Sequence, residues 1–206
     1  MPSIQIVDYG AGNLASVLKA FAAVGADARI ATAPNALDGA GAVVVPGVGH
    51  FAATGTLGDA WRASIRAAIA VRTPLLGICL GMQWLMSGSD EAPDTAGLGV
   101  FSGRCTRLSG SLKVPHVGWN TIDARTDSCA LLDGIGAGAA AYFTHTYAVP
   151  VIAEATATTT YGQTFAAVIA SDRVFGAQFH PEKSGSAGLR LLANFARLAR
   201  TSSSPC

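Results

Sequence analysis

The chain has 206 residues, 50% of them hydrophobic and 13% charged, with a formal net charge of +1 and a mean hydropathy of +0.38. Length and apolar content suit a single domain, 1–206, with a sizeable core, and near-neutrality excludes a strong pull on nucleic acid or an anionic membrane. The charged share is about half the usual ~25%, which fits either a surface partly covered by a partner or a bias toward alanine and glycine.

Ile4–Asp8 reads as a first strand rather than a targeting segment. Asn13–Val24 has helical spacing at Leu14, Val17, Leu18 and Phe21, with Asn13 as its cap. Strands are expected at Ala28–Thr32, Ala42–Val45 and Leu75–Ile78, a helix over roughly Gly58–Val71, and another from Cys79 to about Ser87. Continuous apolar strands separated by helices imply a parallel sheet covered on both faces. From there the chain turns β-rich: Val100–Leu108, Asn120–Ala124, Ala141–Tyr147, Ile152–Thr158, Ala166–Ser171 and Val174–Phe179. Tyr161-Gly162-Gln163 and Ser171-Asp172-Arg173 suit hairpin connections. Ala187–Ala199 closes the chain as a helix with Leu189, Leu192, Phe195 and Ala196 on one stripe, and the tail Thr201–Cys206 is expected to fray. The longest apolar stretch, Ala67 to Met82, is interrupted by Arg72, Thr73, Pro74 and glycines and falls short of the ~18 residues of a membrane span. Cys79, Cys105, Cys129 and Cys206 form no CxxC pair, so they read as reduced thiols and the expected compartment is the cytoplasm.

Gly77-Ile78-Cys79-Leu80-Gly81 places a cysteine between glycines at a strand-to-helix junction, the pattern of a nucleophile elbow. Amide N–H groups of the following helix would favour the thiolate. Read alone, the segment serves equally as a buried cysteine beside packing glycines. Downstream, His180-Pro181-Glu182 ends another apolar run. In an extended segment that spacing puts both side chains on one face, so Glu182 can fix the tautomer of a His180 that faces the thiol. An α/β-hydrolase has its acid before its histidine, which this order does not match. A Cys–His–Glu site also needs an oxyanion hole. The Leu80 N–H is one donor, and the loop Pro46-Gly47-Val48-Gly49, at the same sheet edge, can turn a peptide N–H toward the site.

Two other patterns point elsewhere. Gly10-Ala11-Gly12-Asn13-Leu14-Ala15 matches a dinucleotide fingerprint, but the second strand ends in Ala31-Thr32 with no acid for a ribose. A tight turn near the site or an interface loop fits better. His50, His116 and His145 lack metal-ligand spacing, so they read as structural or substrate-lining, and no metal or other cofactor is expected. Trp119 reads from its neighbours as core or an exposed anchor, with core favoured.

These motifs, together with Asp8-Tyr9-Gly10-Ala11-Gly12-Asn13, Lys113 to Asn120, Tyr142 to Tyr147 and Gln178 to Gly185, resemble the triad-type (class I) glutamine amidotransferases over nearly the whole chain. Within that family the Pro-Gly-Val-Gly loop separates it from the glutaminase of pyridoxal phosphate synthase, which carries a Gly-Gly-Glu-Ser type loop there. Thr146 stands where serine is common, and His50 where alanine is frequent. The resemblance implies the α/β flavodoxin-like fold of the family, a mostly parallel central sheet flanked by helices with a β-rich second half. It implies Cys79 as nucleophile, His180 as acid and base, Glu182 as its orienter, and Leu80, Gly47 and Val48 at the oxyanion hole. It further implies that Gln83 and the main chain around His145, Thr146 and Tyr147 hold L-glutamine. Asn13, Trp119 and Lys183 would face a partner, a separate (β/α)8-barrel cyclase of histidine biosynthesis that receives the ammonia in a heterodimer. A partnerless peptidase of the same fold and a non-catalytic scaffold are the alternatives; the complete Cys–His–Glu set disfavours the scaffold.

Overall fold

The computed structural model describes residues 3–125 and 129–200; the tail Thr201–Cys206, and Cys206 with it, lies outside the described residues. Four short apolar runs become β1 (Ile4–Val7), β2 (Ala28–Ala31), β3 (Ala42–Val45) and β4 (Leu75–Ile78), with α1 (Leu14–Ala23) and α2 (Asp59–Ala70) between them. Asn13 caps α1 as expected, its Oδ1 accepting from the Ser16 N–H at 3.2 Å. A strand buried on both faces needs apolar residues at every position, and β3 and β4 are buried throughout. Val44, Leu76 and Ile78 pack with Phe21 of α1. Val43, Val45 and Leu75 pack on the opposite side with Trp61 and Ile65 of α2.

The later strands are β5 (Met86–Ser89), β6 (Phe101–Arg107), β7 (His116–Ala124), β8 (Ala139–His145), β9 (Tyr147–Ala148), β10 (Ala155–Tyr161), β11 (Gln163–Ser171) and β12 (Val174–Ala177). One nine-stranded sheet runs β2-β1-β3-β4-β12-β11-β10-β7-β8, and β5-β6-β9 form a second, small sheet. Pairings from β2 to β12 are parallel, and those from β12 to β8 antiparallel. Both expected hairpins form, with Gly162 and Asp172 at positive φ in their turns.

Three expectations change. The helix after Cys79, α3, covers only Leu80–Trp84. Met86–Ser89 leaves it as a strand paired with β6, because Ser87-Gly88-Ser89 has weak helix propensity and the β6 edge offers ladder hydrogen bonds. Strand β7 begins at His116, four residues earlier than expected, in register with β8 from His116↔His145 to Ile122↔Ala139. In the closing helix α4 (Gly185–Leu198), Leu191, Leu192, Phe195 and Leu198 are buried while Leu189 is exposed. The expected stripe therefore holds at Leu192, Phe195 and Ala196 and fails only at Leu189, which borders a groove with Ser16, Lys19 and Glu182. Among the described residues no helix is long and apolar enough to cross a membrane.

Candidate active site

Cys79 sits between β4 and α3 with φ +52° and ψ −105°, a conformation that costs a non-glycine residue roughly 1–3 kcal/mol and clusters at functional positions. The neighbouring backbone over-determines it. The Cys79 N–H donates to the Ala177 carbonyl of β12 at 2.7 Å, and its own carbonyl accepts from the Gln83 N–H at 3.1 Å. Both flanking glycines are required by space. A side chain at Gly77 would meet the Gly81 carbonyl at 2.7 Å, and one at Gly81 would collide with the Val45 carbonyl oxygen. The elbow read from the sequence is therefore present. Because α3 spans five residues, its dipole is that of little more than one turn.

His180 follows β12 and reaches the same sheet edge. Its N–H donates to the Tyr142 carbonyl at 2.9 Å, and its carbonyl accepts from Ser184 Oγ at 2.6 Å. His180 Nδ1 lies 2.8 Å from Glu182 Oε1, with both side chains only 2% exposed. The expected pairing forms by a different route: Pro181–Lys183 is a 3₁₀ turn, so the glutamate curls back rather than lying along a strand. Burial pulls the His180 imidazole down, but the Cys79 sulfur and the Glu182 carboxylate outweigh it and lift the imidazole to about 10. With Nδ1–H donating to Glu182, Nε2 is the atom left for the thiol; it has no hydrogen-bond partner among the described residues.

The loop Pro46-Gly47-Val48-Gly49 lies against Leu80. The Leu80 N–H donates to the Gly47 carbonyl at 3.3 Å, so a neighbouring peptide already holds that donor. Gly47 itself is buried, and Val48 is exposed. The Gly10–Gly12 turn packs on this loop: a side chain at Gly12 would meet the Pro46 ring at 3.5 Å. A turn beside the site is therefore what the glycine pattern provides.

The carried-over glutamine contacts divide. Gln83 is buried, its Nε2 donating to the Tyr147 carbonyl at 2.7 Å and to Gln178 Oε1 at 3.2 Å. The Thr146 carbonyl accepts from the Leu108 N–H at 2.9 Å. The His145 ring points inward: its Nδ1 lies 3.0 Å from the Tyr147 carbonyl, and its Nε2 lies 3.3 Å from His116 Nδ1. Sequence reading missed two groups at the sulfur, Gln178 Nε2 at 3.7 Å and the Thr144 carbonyl at 4.0 Å. Gln178 is two residues before His180 on the same extended run, a signal that period-two alternation could have supplied.

Asn13, Trp119 and Lys183 are all exposed. Trp119 is 59% exposed, so the core reading favoured by its neighbours gives way to an exposed position: its strand is the penultimate one, and its ring lies 6.1 Å from that of Tyr142. Lys183 Nζ lies 5.7 Å from the Tyr142 ring centroid, so Trp119 and Lys183 flank one tyrosine. His50 has a local task, capping the turn Phe51–Thr56 through its Nδ1 and the Ala52 N–H at 3.1 Å. Cys105 donates its thiol to the Gln83 carbonyl at 3.7 Å, and burial pushes that thiol well above its usual range.

Three relatives share most of the chain, each named imidazole glycerol phosphate synthase subunit HisH. The one from Symbiobacterium thermophilum is 45% identical, covering 96% of this chain and 95% of its own. That from Halobacterium salinarum is 46% identical, covering 94% and 92%, and that from Thermococcus kodakarensis 45% identical, covering 95% and 100%. The fold matches a solved glutamine amidotransferase with a TM-score of 0.75 at 20% identity, over 96% of this chain and 99% of that one. PurLQS from Thermotoga maritima matches with a TM-score of 0.75 at 16% identity, over 95% and 98%. The model of the glutamine amidotransferase class-I family matches residues 5–198, and with an elbow cysteine and a carboxylate-held histidine at one sheet edge, this chain belongs to that family.

Proposed function

We propose that this chain is the glutaminase subunit of an imidazole glycerol phosphate synthase, acting in histidine biosynthesis. It releases ammonia from L-glutamine for a (β/α)8-barrel cyclase bound to it as a heterodimer. The observation that carries the chemistry is the buried His180–Glu182 pair at 2.8 Å beside a cysteine held at positive φ. The Cys79 sulfur attacks the side-chain amide carbon, and the resulting oxyanion takes the Leu80 and Val48 N–H groups. His180 gives its proton to the departing ammonia, then draws one from the water that cleaves the glutamyl thioester to glutamate. Glu182 holds the imidazole through Nδ1 across both steps. Gln83 and the main chain around His145, Thr146 and Tyr147 wall the glutamine site.

Ammonia set free in neutral water becomes ammonium, which is not a nucleophile, so it passes directly to the acceptor enzyme. The cyclase uses it to turn a phosphoribulosyl-formimino aminoimidazole carboxamide nucleotide into imidazole glycerol phosphate and an aminoimidazole carboxamide ribonucleotide. The exposed Trp119, with Val117 on the same face of β7 and the exposed Lys183 and Asn13, is the docking surface. Lys183 is adjacent to Glu182 in sequence, so contact there is one residue from the triad. Because Leu80 N–H is held by Gly47, turnover by the lone chain is low, and partner binding turns the Gly47–Val48 peptide. Glutamate release from glutamine, measured for the chain alone and with the barrel cyclase plus its nucleotide ligand, tests this. Strong stimulation is expected. Full activity alone with no stimulation overturns the partner and the gating.

A further inference from the structure

An oxyanion at Cys79 needs the Leu80 N–H, and the Gly47 carbonyl must release that donor first. Gly47 is buried, and a buried carbonyl stripped of its donor costs about as much as a lost hydrogen bond. A loop that opens in this way needs a second donor within reach of the freed oxygen. Tyr9 supplies one. Its hydroxyl is buried and has no hydrogen-bond partner among the described residues. It lies against the Gly47 α-carbon, where any side chain would collide with it. The tyrosine is fixed by its backbone: its carbonyl accepts from Thr56 Oγ1 at 2.9 Å. The loop, by contrast, is free to turn. Gly47 has no side chain, Val48 projects into solvent, and Gly49 already holds φ +99°.

We propose that the Tyr9 hydroxyl is the alternate donor for the Gly47 carbonyl, a positioning residue that stabilises the open oxyanion loop. As the Gly47–Val48 peptide turns, its oxygen passes from the Leu80 N–H to Tyr9 Oη. The same rotation swings the Val48 N–H toward Cys79. In the closed loop one hydroxyl is left without a partner. In the open loop that hydroxyl is satisfied, and the two freed N–H groups are taken by the oxyanion itself. Burial, with the Cys79 charge adding to it, pushes the Tyr9 phenol above its usual range, so it remains a donor throughout.

This inference rests on the glutaminase reading above. Its test is Tyr9→Phe in the full complex with the cyclase and its nucleotide ligand, with wild type assayed beside it. The variant should lose about tenfold in kcat for glutamine, the scale of one hydrogen bond, with KM within about twofold. Measured on the isolated chain, its Tm should equal or exceed that of wild type, because the deleted hydroxyl has no partner in the closed loop. Glutamate γ-semialdehyde, which forms a tetrahedral adduct on the cysteine, should bind about tenfold more weakly for the same reason. An unchanged kcat beside a stimulated wild type overturns this inference alone. A fall in the Tm of the isolated chain overturns it too, since the hydroxyl would then be bonded in the resting fold. A wild type that the cyclase does not stimulate overturns the glutaminase–cyclase reading instead.

Discussion

Two buried histidine sites lie in different halves of the large sheet, and they are driven to opposite charge states. His180, at the end of parallel β12, has a carboxylate 2.8 Å from Nδ1 and the Cys79 sulfur on its other side, and is lifted to about 10. His145 and His116 face each other across antiparallel β8 and β7, where burial lowers them to about 3 and about 4. Their neighbours offer no charge to resist it. His145 Nδ1 donates to the Tyr147 carbonyl, so its Nε2 accepts from His116 Nδ1–H. His116 Nε2 then accepts from Asn120 Nδ2 at 3.4 Å, which also donates to the Thr160 carbonyl at 3.0 Å. Every link in this chain needs a neutral ring. Burial alone does not decide the state of an imidazole; whether a carboxylate shares the burial does.

On the proposed function the chemistry belongs to the parallel half and support to the antiparallel half, and the largest effect should come from removing the proposed nucleophile. Cys79→Ala should lower glutamine-dependent synthesis by at least about 10⁴-fold, while ammonia-dependent synthesis by the complex continues. Loss of both would make Cys79 a folding residue. Glu182→Gln makes the first histidine resemble the second by giving it a neutral partner. Its imidazole should drop well below 10 in an NMR titration, and kcat/KM should fall by about 10²–10⁴-fold. An unmoved titration would mean that the sulfur alone sustains the charge.

How far each half was legible from sequence follows from how local its information is. The Cys79 elbow and the His180–Glu182 pair were readable because Cys79 lies between two glycines required by space and because His180 and Glu182 are two residues apart. The hairpins and the parallel strands were readable for the same local reason. The His116–His145 pair was not, because 29 residues separate its members and only the register of β7 on β8 joins them. Trp119 beside Pro115 and Gly118 gave no clue that β7 starts at His116 and presents the indole outward. The shortness of α3 depended on β6, a strand that pairs with residues the sequence placed in the helix. The hydrogen bond between Gly47 and Leu80 is tertiary and invisible to periodicity.

The two histidine sites should also shape stability against pH from opposite sides. His116 and His145 have folded values below the ordinary ~6.5, so the unfolded chain binds more protons as pH drops from about 6.5. Stability should then fall toward pH 4, with each group contributing at most about 1.4 kcal/mol per pH unit. His180 has a folded value above the ordinary one, so its contribution is complete below about 6.5 and is lost as pH rises toward 10. Together they predict a maximum near pH 6.5, readable from urea midpoints at pH 5, 6.5 and 9. His116→Gln should flatten only the acid limb, and Glu182→Gln only the alkaline one. An identical acid limb in His116→Gln would remove the neutral histidine chain from the account.

The smallest effect on the fold should come from the outer face of the strand that carries His116. Trp119 is 59% exposed and its ring meets Tyr142 near a right angle, so Trp119→Ala should change stability by no more than about 0.5 kcal/mol. Its effect on coupling should be far larger, because Tyr142 connects in two ways to His180. Its carbonyl accepts the His180 N–H, and its N–H donates to Ser184 Oγ, which in turn donates to the His180 carbonyl. A partner pressing on Trp119 and Lys183 therefore bears on the backbone that holds His180. Cyclase-stimulated glutaminase activity should fall about tenfold or more, on the scale of an interface anchor, with the unstimulated rate unchanged. A lowered Tm with intact stimulation would return Trp119 to the core and leave the antiparallel half as scaffold alone.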